Sequence, residues 1–333
     1  MDKDPSLPLV LVTHTLPEGW LDPLKDRCRL VIGPQDALSL APELERSLAD
    51  AAGLFCLLTI KITQELLDRA PGLKVVSNMA VGVDNIDVAA CTRRGIPVGN
   101  TPGVLTDGTA DLTLAILLAA ARRICESSAD ARNGRWRTWS PTGWLGKDLK
   151  GATLGIVGMG QIGRAVAERA RGFGMRIIFS DPKPDQATAE QLHALPVQFD
   201  ELLKYSDFIS LHVPLTSETR GLIDEAALRM MKPTAVLVNT ARGPIVDTEA
   251  LFKALKEGWI AAAALDVTDP EPLPPEHPLY SLPNCLIVPH IGSATWNTRQ
   301  AMAARACENL LAGLEGRRLP YCVNPEVYRD EIG

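Results

Sequence analysis

Short apolar runs alternate with amphipathic stretches along the first hundred residues of the chain. The apolar runs have the length and composition of strands, and the stretches between them have a helical period. Glycine and proline stand at the ends of several of these segments, as expected where a helix must stop before a strand. The pattern predicts strands at 9–13, 54–58, 74–77 and 96–98, and helices at 42–51, 64–69 and 88–94. Strands that alternate with helices at this spacing indicate βαβ units and a parallel sheet.

A second series of the same kind follows a long helical segment, 106–127, and an irregular stretch to Gly151. It predicts strands at 153–157, 176–180, 208–213, 235–239, 262–267 and 286–288, and helices at 162–173, 225–231 and 249–257. The predicted fold class is therefore α/β, with two doubly wound parallel-sheet domains.

The last amphipathic segment, 298–314, is a helix with no strand after it. One economical layout has this helix pack back on the first domain, which would make that domain discontinuous. The expected division is 1–101 with 293–333 for the first domain and 102–292 for the second.

Composition limits the classes of function. The chain has 333 residues, of which 46% are hydrophobic, enough for two domains with substantial cores. A formal net charge of -6 is too acidic overall for a chain that coats nucleic-acid phosphates, although a local basic patch could still exist. The most apolar stretch, 112–121, is far shorter than the roughly 20 residues that span a bilayer. We expect no nucleic-acid partner and no membrane partner.

The seven cysteines are scattered and never form a close pair. This usage indicates reduced thiols rather than a disulfide framework or a zinc site. The first residues lack the basic start and apolar stretch of a signal peptide. We therefore expect a cytoplasmic protein without a structural metal.

The glycine motif G-x-G-x-x-G occurs at Gly158, Gly160 and Gly163. Alone it is a weak signal, but here it directly follows the apolar strand 153–157 and opens a helix through Gln161 and Ile162. In that setting the backbone can approach a pyrophosphate, and the helix N-terminus supplies N–H groups and partial positive charge. The motif therefore predicts a dinucleotide cofactor.

Asp181 lies at the end of the second strand of this series. A carboxylate at that place can accept hydrogen bonds from the ribose hydroxyls of the cofactor. A 2'-phosphate would meet a like charge, which costs about 1 to 4 kcal/mol at about 4 Å. Asp181 thus favours NAD(H), while Lys183 nearby leaves use of NADP(H) possible.

Three polar residues follow predicted strands of the second domain: Arg242, Glu271 and His290. Doubly wound sheets bind their ligands at the carboxyl ends of the strands. A guanidinium can bind a carboxylate through two bonds, an imidazolium can protonate a developing alkoxide, and a carboxylate can orient the ring. Individually they could be a loop cation, a turn residue and a strand-end histidine. Together they suit reduction of a 2-keto acid to a 2-hydroxy acid.

Four segments carry a resemblance to a known family: 81–87, 101–107, the glycine loop and 265–295. In them the chain resembles the D-2-hydroxyacid dehydrogenases, most closely the glyoxylate reductase/hydroxypyruvate reductase branch. The resemblance implies a Rossmann cofactor domain inserted in a flavodoxin-like substrate domain. It also implies a homodimer formed through the region 105–150.

The resemblance implies roles for individual residues. Arg242 would bind the substrate carboxylate and polarise the keto group, His290 would be the general acid, and Glu271 would support it. Backbone N–H groups at Val81 and Gly82 would hold the substrate carboxylate, and Asp266 would contact the nicotinamide carboxamide. The remaining implied positions are Ser293 for the substrate and Val213, Pro214, Thr240, Ala241 and Gly292 for the cofactor, which Arg242 and His290 would also contact.

Two implied positions have a simpler interpretation. Trp139 matches a residue that reaches into the partner subunit's pocket, but it could be a plain hydrophobic dimer contact. Thr109 matches a position near the nicotinamide, but as a threonine near a helix N-terminus it could be a local backbone partner.

Alternatives remain within the resemblance. A D-3-phosphoglycerate dehydrogenase without a regulatory domain would look similar, although the run 266–274 is closer to the glyoxylate reductase branch. The same fold also serves in corepressors, so an NAD-sensing scaffold without enzymatic activity is a second alternative. Many enzymes of the branch use NADPH and carry arginine where this chain has Asp181 and Pro182.

Overall fold

Runs of valine, leucine and isoleucine form parallel strands in two separate sheets. The computed structural model describes residues 5–331, and within them the chain divides into two units. One unit contains the residues up to Leu105 together with those from Thr295 onward, and the other is Thr106–Ala294. The boundaries therefore lie four and two residues beyond those expected from the sequence.

The sheet of the first unit is flavodoxin-like. Its strand order, β2-β1-β3-β4-β5, is parallel throughout. Leu11, Leu54 and Val76 are fully buried within it. The strands are β1 (Leu9–Val12), β2 (Arg29–Ile32), β3 (Gly53–Cys56), β4 (Val75–Asn78) and β5 (Val98–Gly99). The helices between them are α1 (Pro42–Arg46), α2 (Gln64–Asp68) and α3 (Val88–Arg93).

The sheet of the second unit has the Rossmann order with one further strand. Its parallel strands run β12-β11-β10-β9-β6-β7-β8. They are β6 (Thr153–Val157), β7 (Arg176–Ser180), β8 (Ala194–Pro196), β9 (Phe208–Leu211), β10 (Val236–Asn239), β11 (Ala262–Leu265) and β12 (Cys285–Ile287). The helices are α4 (Thr106–Ala121), α5 (Ile124–Arg132), α6 (Gln161–Gly172), α7 (Gln186–Leu192), α8 (Phe199–Tyr205), α9 (Glu225–Met230) and α10 (Thr248–Glu257). These two sheets confirm the predicted fold class.

The long helical segment predicted over 106–127 is interrupted. Arg123 adopts a left-handed backbone conformation, with φ 54°, between α4 and α5. The carbonyl oxygen of Ala121 accepts the N–H of Lys147 at 2.8 Å, rather than continuing the helical ladder. A contact with a residue far along the chain thus ends α4, and the periodicity of the sequence does not show it.

The last helix, α11 (Trp296–Leu314), belongs to the first unit. The Thr295 side chain accepts the N–H of Thr298, which caps the start of the helix. The helix packs on β3 and β4, and the carbonyl of Ala306 accepts a hydrogen bond from the Ser77 hydroxyl at 2.8 Å. Among residues 5–331, no helix is both long enough and apolar enough to cross a membrane.

Candidate active site

The loops after β6 and β9 meet where the strand order of the second sheet reverses. Gly158 has φ +92°, and a Cβ on it would lie 2.8 Å from the carbonyl oxygen of His212 and 2.8 Å from Cγ1 of Val213. The N–H of His212 also donates to the carbonyl of Val157 at 2.7 Å. This is the place where doubly wound sheets bind nucleotides, and only glycine fits the contact. Val213 and Pro214 lie on the β9 side of it.

The N-terminus of α6 fits an anionic cofactor. Gly160 is the N-cap, and it provides no side chain to accept the N–H groups of the first turn. A Cβ on Gly160 would meet no heavy atom within 4 Å, so the backbone there borders open space. Unpaired N–H groups beside open space, at a helix N-terminus, are the requirements for binding a pyrophosphate. Gln161, Ile162 and Gly163 form that first turn.

Asp181, just beyond β7, holds the glycine loop. Its Oδ2 accepts the N–H of Met159 at 2.9 Å, and its Oδ1 accepts the N–H of Lys183 at 2.9 Å. Each carboxylate oxygen retains a further acceptor site. The carboxylate can therefore position the loop and still accept a hydrogen bond from a ribose.

A buried asparagine shapes the loop after β10. Asn239 is 1% exposed, and its amide donates to the carbonyl of Arg242 at 2.8 Å. Its Oδ1 accepts the N–H of Ala241 at 3.0 Å. The guanidinium of Arg242 donates to the carbonyl of Ala241 at 2.8 Å. These bonds define the conformation of the loop that carries Arg242.

The loops after β10 and β11 approach closely at Gly243. A Cβ at this position would overlap the carbonyl group of Thr268, which is backbone and cannot rotate away. The loop after β10 carries Arg242 and the loop after β11 carries Glu271. The missing side chain of Gly243 therefore allows the two loops, and with them a guanidinium and a carboxylate, to come together.

His290 and Glu271 form a hydrogen-bonded pair between Nδ1 and Oε1 at 2.6 Å. His290 has φ 52°, and its N–H donates to the carbonyl of Asp266 at 2.9 Å. Burial alone would raise the pKa of the Glu271 carboxyl, but the hydrogen bond and the positive charge of His290, aided by Arg242, lower this pKa overall. Glu271 is therefore an anion suited to stabilise a protonated imidazole.

Asp266 holds the turn that follows His290. Its two carboxylate oxygens accept the N–H groups of Ile291 at 2.6 Å and Gly292 at 2.8 Å. Burial raises the pKa of Asp266, and these hydrogen bonds only partly oppose the rise. A Cβ on Gly292 would lie 3.0 Å from Asp266 and 3.4 Å from Thr109. Asp266, Gly292 and Thr109, all expected at the cofactor, thus lie close to one another.

Thr240, in the loop after β10, contacts α4 one turn from Thr109. The Thr113 hydroxyl donates to the carbonyl of Thr109 at 2.8 Å and lies 2.9 Å from the hydroxyl of Thr240. All three threonines are buried. This bond uses the carbonyl of Thr109 and not its hydroxyl, so both interpretations of the Thr109 side chain remain predictions.

Comparison with known proteins identifies the family of the chain. Residues 114–292 match the family described as D-isomer specific 2-hydroxyacid dehydrogenase, NAD binding domain. A glyoxylate reductase of Thermofilum pendens is 48% identical over 325 residues, which are 97% of this chain and 96% of that protein. The chain belongs to the D-isomer specific 2-hydroxyacid dehydrogenase family.

Solved structures of similar proteins agree with the fold of this dehydrogenase. The TT0316 protein of Thermus thermophilus has a TM-score of 0.88 at 51% identity, covering 95% of this chain and 99% of that one. An NADPH-dependent glyoxylate/hydroxypyruvate reductase of Sinorhizobium meliloti, in complex with NADP and malonate, has a TM-score of 0.83 at 32% identity. That match covers 96% of this chain and 97% of the other. The resemblance inferred from the motifs is confirmed.

The remaining predicted residues of this 2-hydroxyacid dehydrogenase are distributed over both units. Ser293 follows Gly292 in the second unit, and Trp139 lies in the same unit with its side chain 80% exposed. Val81 and Gly82 lie in the first unit, in the loop after β4. Asn239 and Gly243 were not predicted. The sequence signal that could have identified them is a polar residue at the end of a buried strand, Asn239, followed four residues later by a glycine, Gly243.

We expect Gly243→Ala to separate the loops that carry Arg242 and Glu271. Because the new methyl group would overlap backbone atoms, the free energy of unfolding should fall by about 3 kcal/mol, at the upper end for overpacking. Urea unfolding and steady-state turnover measure the two effects. Gly172→Ala is the matched control, since a Cβ there meets nothing within 4 Å. A Gly243→Ala enzyme with native stability and native turnover would contradict the argument.

Proposed function

We propose that this dehydrogenase reduces a small 2-keto acid, glyoxylate or hydroxypyruvate, to the 2-hydroxy acid. The hydrogen bond between His290 and Glu271, 2.6 Å long, carries the proposal because it makes a proton donor at the carboxyl edge of a NAD-binding sheet. Arg242, whose charge acts on Glu271, supplies a group for the substrate carboxylate. The similarity to glyoxylate reductases supports the choice of substrate.

The proton step follows from the hydrogen bond of the ring. Glu271 accepts the Nδ1–H of His290, which orients the imidazole and leaves Nε2–H to donate to the keto oxygen. A bound nicotinamide cofactor supplies the hydride for the keto carbon. Nε2 gives its proton to the oxygen, so that a hydroxyl group forms and His290 becomes neutral. The anionic Glu271 stabilises the protonated ring before this transfer.

Substrate binding follows from the chemistry of a carboxylate. The guanidinium of Arg242 can bind it through two parallel hydrogen bonds and polarise the adjacent keto group. Backbone N–H groups at Val81 and Gly82 provide further donors, and Ser293 and Trp139 complete the proposed set. The family resemblance supports these assignments.

We propose NADH as the preferred cofactor. The family establishes a NAD-binding domain, and the preference rests on the Asp181 carboxylate at the end of β7. A 2'-phosphate near this carboxylate would be repelled, because both groups are anionic. The relative from Sinorhizobium meliloti is described as NADPH-dependent, so the preference varies among similar proteins.

We further propose a homodimer formed through the region 105–150. Large apolar side chains are exposed there: Ile124, Trp136, Trp139 and Leu145, from 51% to 80%. Such a cluster is typical of a surface that binds protein. The scattered cysteines support a reducing compartment, and we propose the cytoplasm.

The central test is oxidation of NADH and NADPH with glyoxylate, hydroxypyruvate and phosphohydroxypyruvate. We expect turnover with the first two acids and a decrease of about 100-fold to 10,000-fold in His290→Ala, since that variant lacks the general acid. His193→Ala is the control, because His193 also has a positive φ, 47°, but is exposed. Preference for phosphohydroxypyruvate would favour the phosphoglycerate dehydrogenase alternative. Binding of NADH without oxidation would favour a scaffold.

We expect Glu271→Gln to shift the pH profile of reduction. The pKa of Glu271 is lowered in the fold, so the carboxylate remains charged at neutral pH and stabilises the imidazolium. Without that charge, the protonated ring loses the stabilisation that the carboxylate provides in the native enzyme. The pH at which reduction slows should therefore be lower in the variant than in the native enzyme, measured as kcat/KM across neutral and alkaline pH. If chemistry is rate-limiting and the pH profile of the variant is not shifted, the proposed interaction between Glu271 and His290 is contradicted.

We expect Asp181→Asn to weaken the preference for NADH. The variant loses the negative charge. Its single amide oxygen can still accept the N–H of Met159, but its NH2 group then replaces the oxygen that accepts the N–H of Lys183. The ratio of kcat/KM for NADH to that for NADPH should fall by about 5-fold or more, given a repulsion of about 1 to 4 kcal/mol. Asp185→Asn, outside the glycine loop, is the control. Equal efficiency of the native enzyme with both cofactors would refute the argument from Asp181.

A further inference from the structure

Three successive carbonyl groups in the loop after β4 accept hydrogen bonds from within the first unit. The carbonyl of Ala80 accepts the N–H of Thr101 at 2.9 Å. The carbonyl of Val81 accepts Nδ2 of Asn100 at 2.8 Å, and that of Gly82 accepts Nδ2 of Asn78 at 2.8 Å. Two asparagine side chains therefore bind adjacent peptide groups of one loop.

These bonds also fix the directions of the N–H groups. The peptide bonds of the loop are trans, and in a planar trans peptide the C=O and the N–H point in opposite directions. The N–H groups of Gly82 and Val83 therefore point away from the Asn100 and Asn78 amides. In the part of the chain that the structure describes, neither N–H has a protein acceptor. They remain available to an anion.

The asparagines are themselves held in place. Asn78 is fully buried, and its amide also donates to Oδ1 of Asn85 at 3.2 Å. The backbone of Asn100 is bonded on both sides, since its carbonyl accepts Nδ2 of Asn309 at 2.9 Å and its N–H donates to the carbonyl of Tyr321 at 3.2 Å. The direction of the loop N–H groups is thus determined before any ligand binds, which lowers the entropy cost of binding.

We propose that Asn100 and Asn78 are positioning residues that orient the N–H groups of Gly82 and Val83 toward the substrate carboxylate. The proposal rests on the proposed function, in which this loop binds that carboxylate through Val81 and Gly82, and it adds the N–H of Val83 to those donors. Each asparagine acts through a carbonyl of the loop, and neither needs to contact the substrate. The ligand class is a small 2-keto monocarboxylate. The amide suits this role because its NH2 group is a neutral hydrogen-bond donor to the loop carbonyls.

The test compares substrate affinity with turnover in Asn100→Ala. Asn100 is only partly buried, so this variant is better suited to folding than Asn78→Ala. Since the carboxylate is bound equally in the ground state and the transition state, KM for glyoxylate should rise by about 10-fold to 100-fold with little change in kcat. KM for NADH should not change. A purely structural role would reduce the amount of active enzyme and leave KM unaltered.

Asn284→Ala is the matched control. The Asn284 amide also donates to two backbone carbonyls, those of Leu255 and Ala261, but lies in the second unit. It should leave KM for both glyoxylate and NADH unchanged. An equal rise of KM for glyoxylate in both variants would show a general effect of losing an amide and would overturn the proposal.

Binding of oxamate, a non-reactive carboxylate of similar shape, separates this proposal from the proposed function. Calorimetry with the NADH-loaded enzyme needs no turnover, and Kd should rise in Asn100→Ala in parallel with KM. Unchanged oxamate binding and unchanged KM would overturn the positioning role while leaving keto-acid reduction intact. A native enzyme that binds oxamate but reduces no 2-keto acid would refute the proposed function, and the change in oxamate Kd would still decide the role of Asn100.

Discussion

The close approach of backbone to backbone at the carboxyl edge of the second sheet underlies the candidate site. Because the strands are parallel, the loops that follow them emerge on one side of the sheet. Gly243 lets the loop after β10 contact the carbonyl of Thr268. Asp266 then binds the two N–H groups that follow His290. The arrangement of acid, base and guanidinium depends on these backbone contacts as much as on the three side chains.

Local sequence predicted those parts of the fold that depend on local burial. The bounds of β6 and β7 agree with expectation, since each has an apolar centre and lies close to a glycine. β2, a half-buried edge strand that begins at Arg29, was missed, as was the short β8. The break between α4 and α5 depends on Lys147, which contacts Ala121 from a distant part of the chain. Contacts of this kind have no periodic signal.

In the candidate site too, the local sequence predicted some residues and not those that depend on distant contacts. The types and spacing of Arg242, Glu271 and His290 were sufficient to propose a keto-acid reductase, because their chemistry can be read from side chains at strand ends. The groups that shape the loop of Arg242 and the loop after β4 could not be found in this way. Asn239, Asn78 and Asn100 act on carbonyl groups, and the partners of a side-chain amide become visible only when the loops have folded. In the proposed site, anion recognition in this acidic chain therefore combines the Arg242 guanidinium with oriented peptide groups.

The bonds of Asp181 have a consequence for how such an enzyme can change during evolution. The carboxylate that would discriminate between the two cofactors also accepts the N–H of Met159 inside the glycine loop. A replacement by a cationic residue, which would suit a phosphate, also removes an acceptor from that loop. Replacing Asp181 by a cationic residue would therefore change the glycine loop together with the cofactor preference.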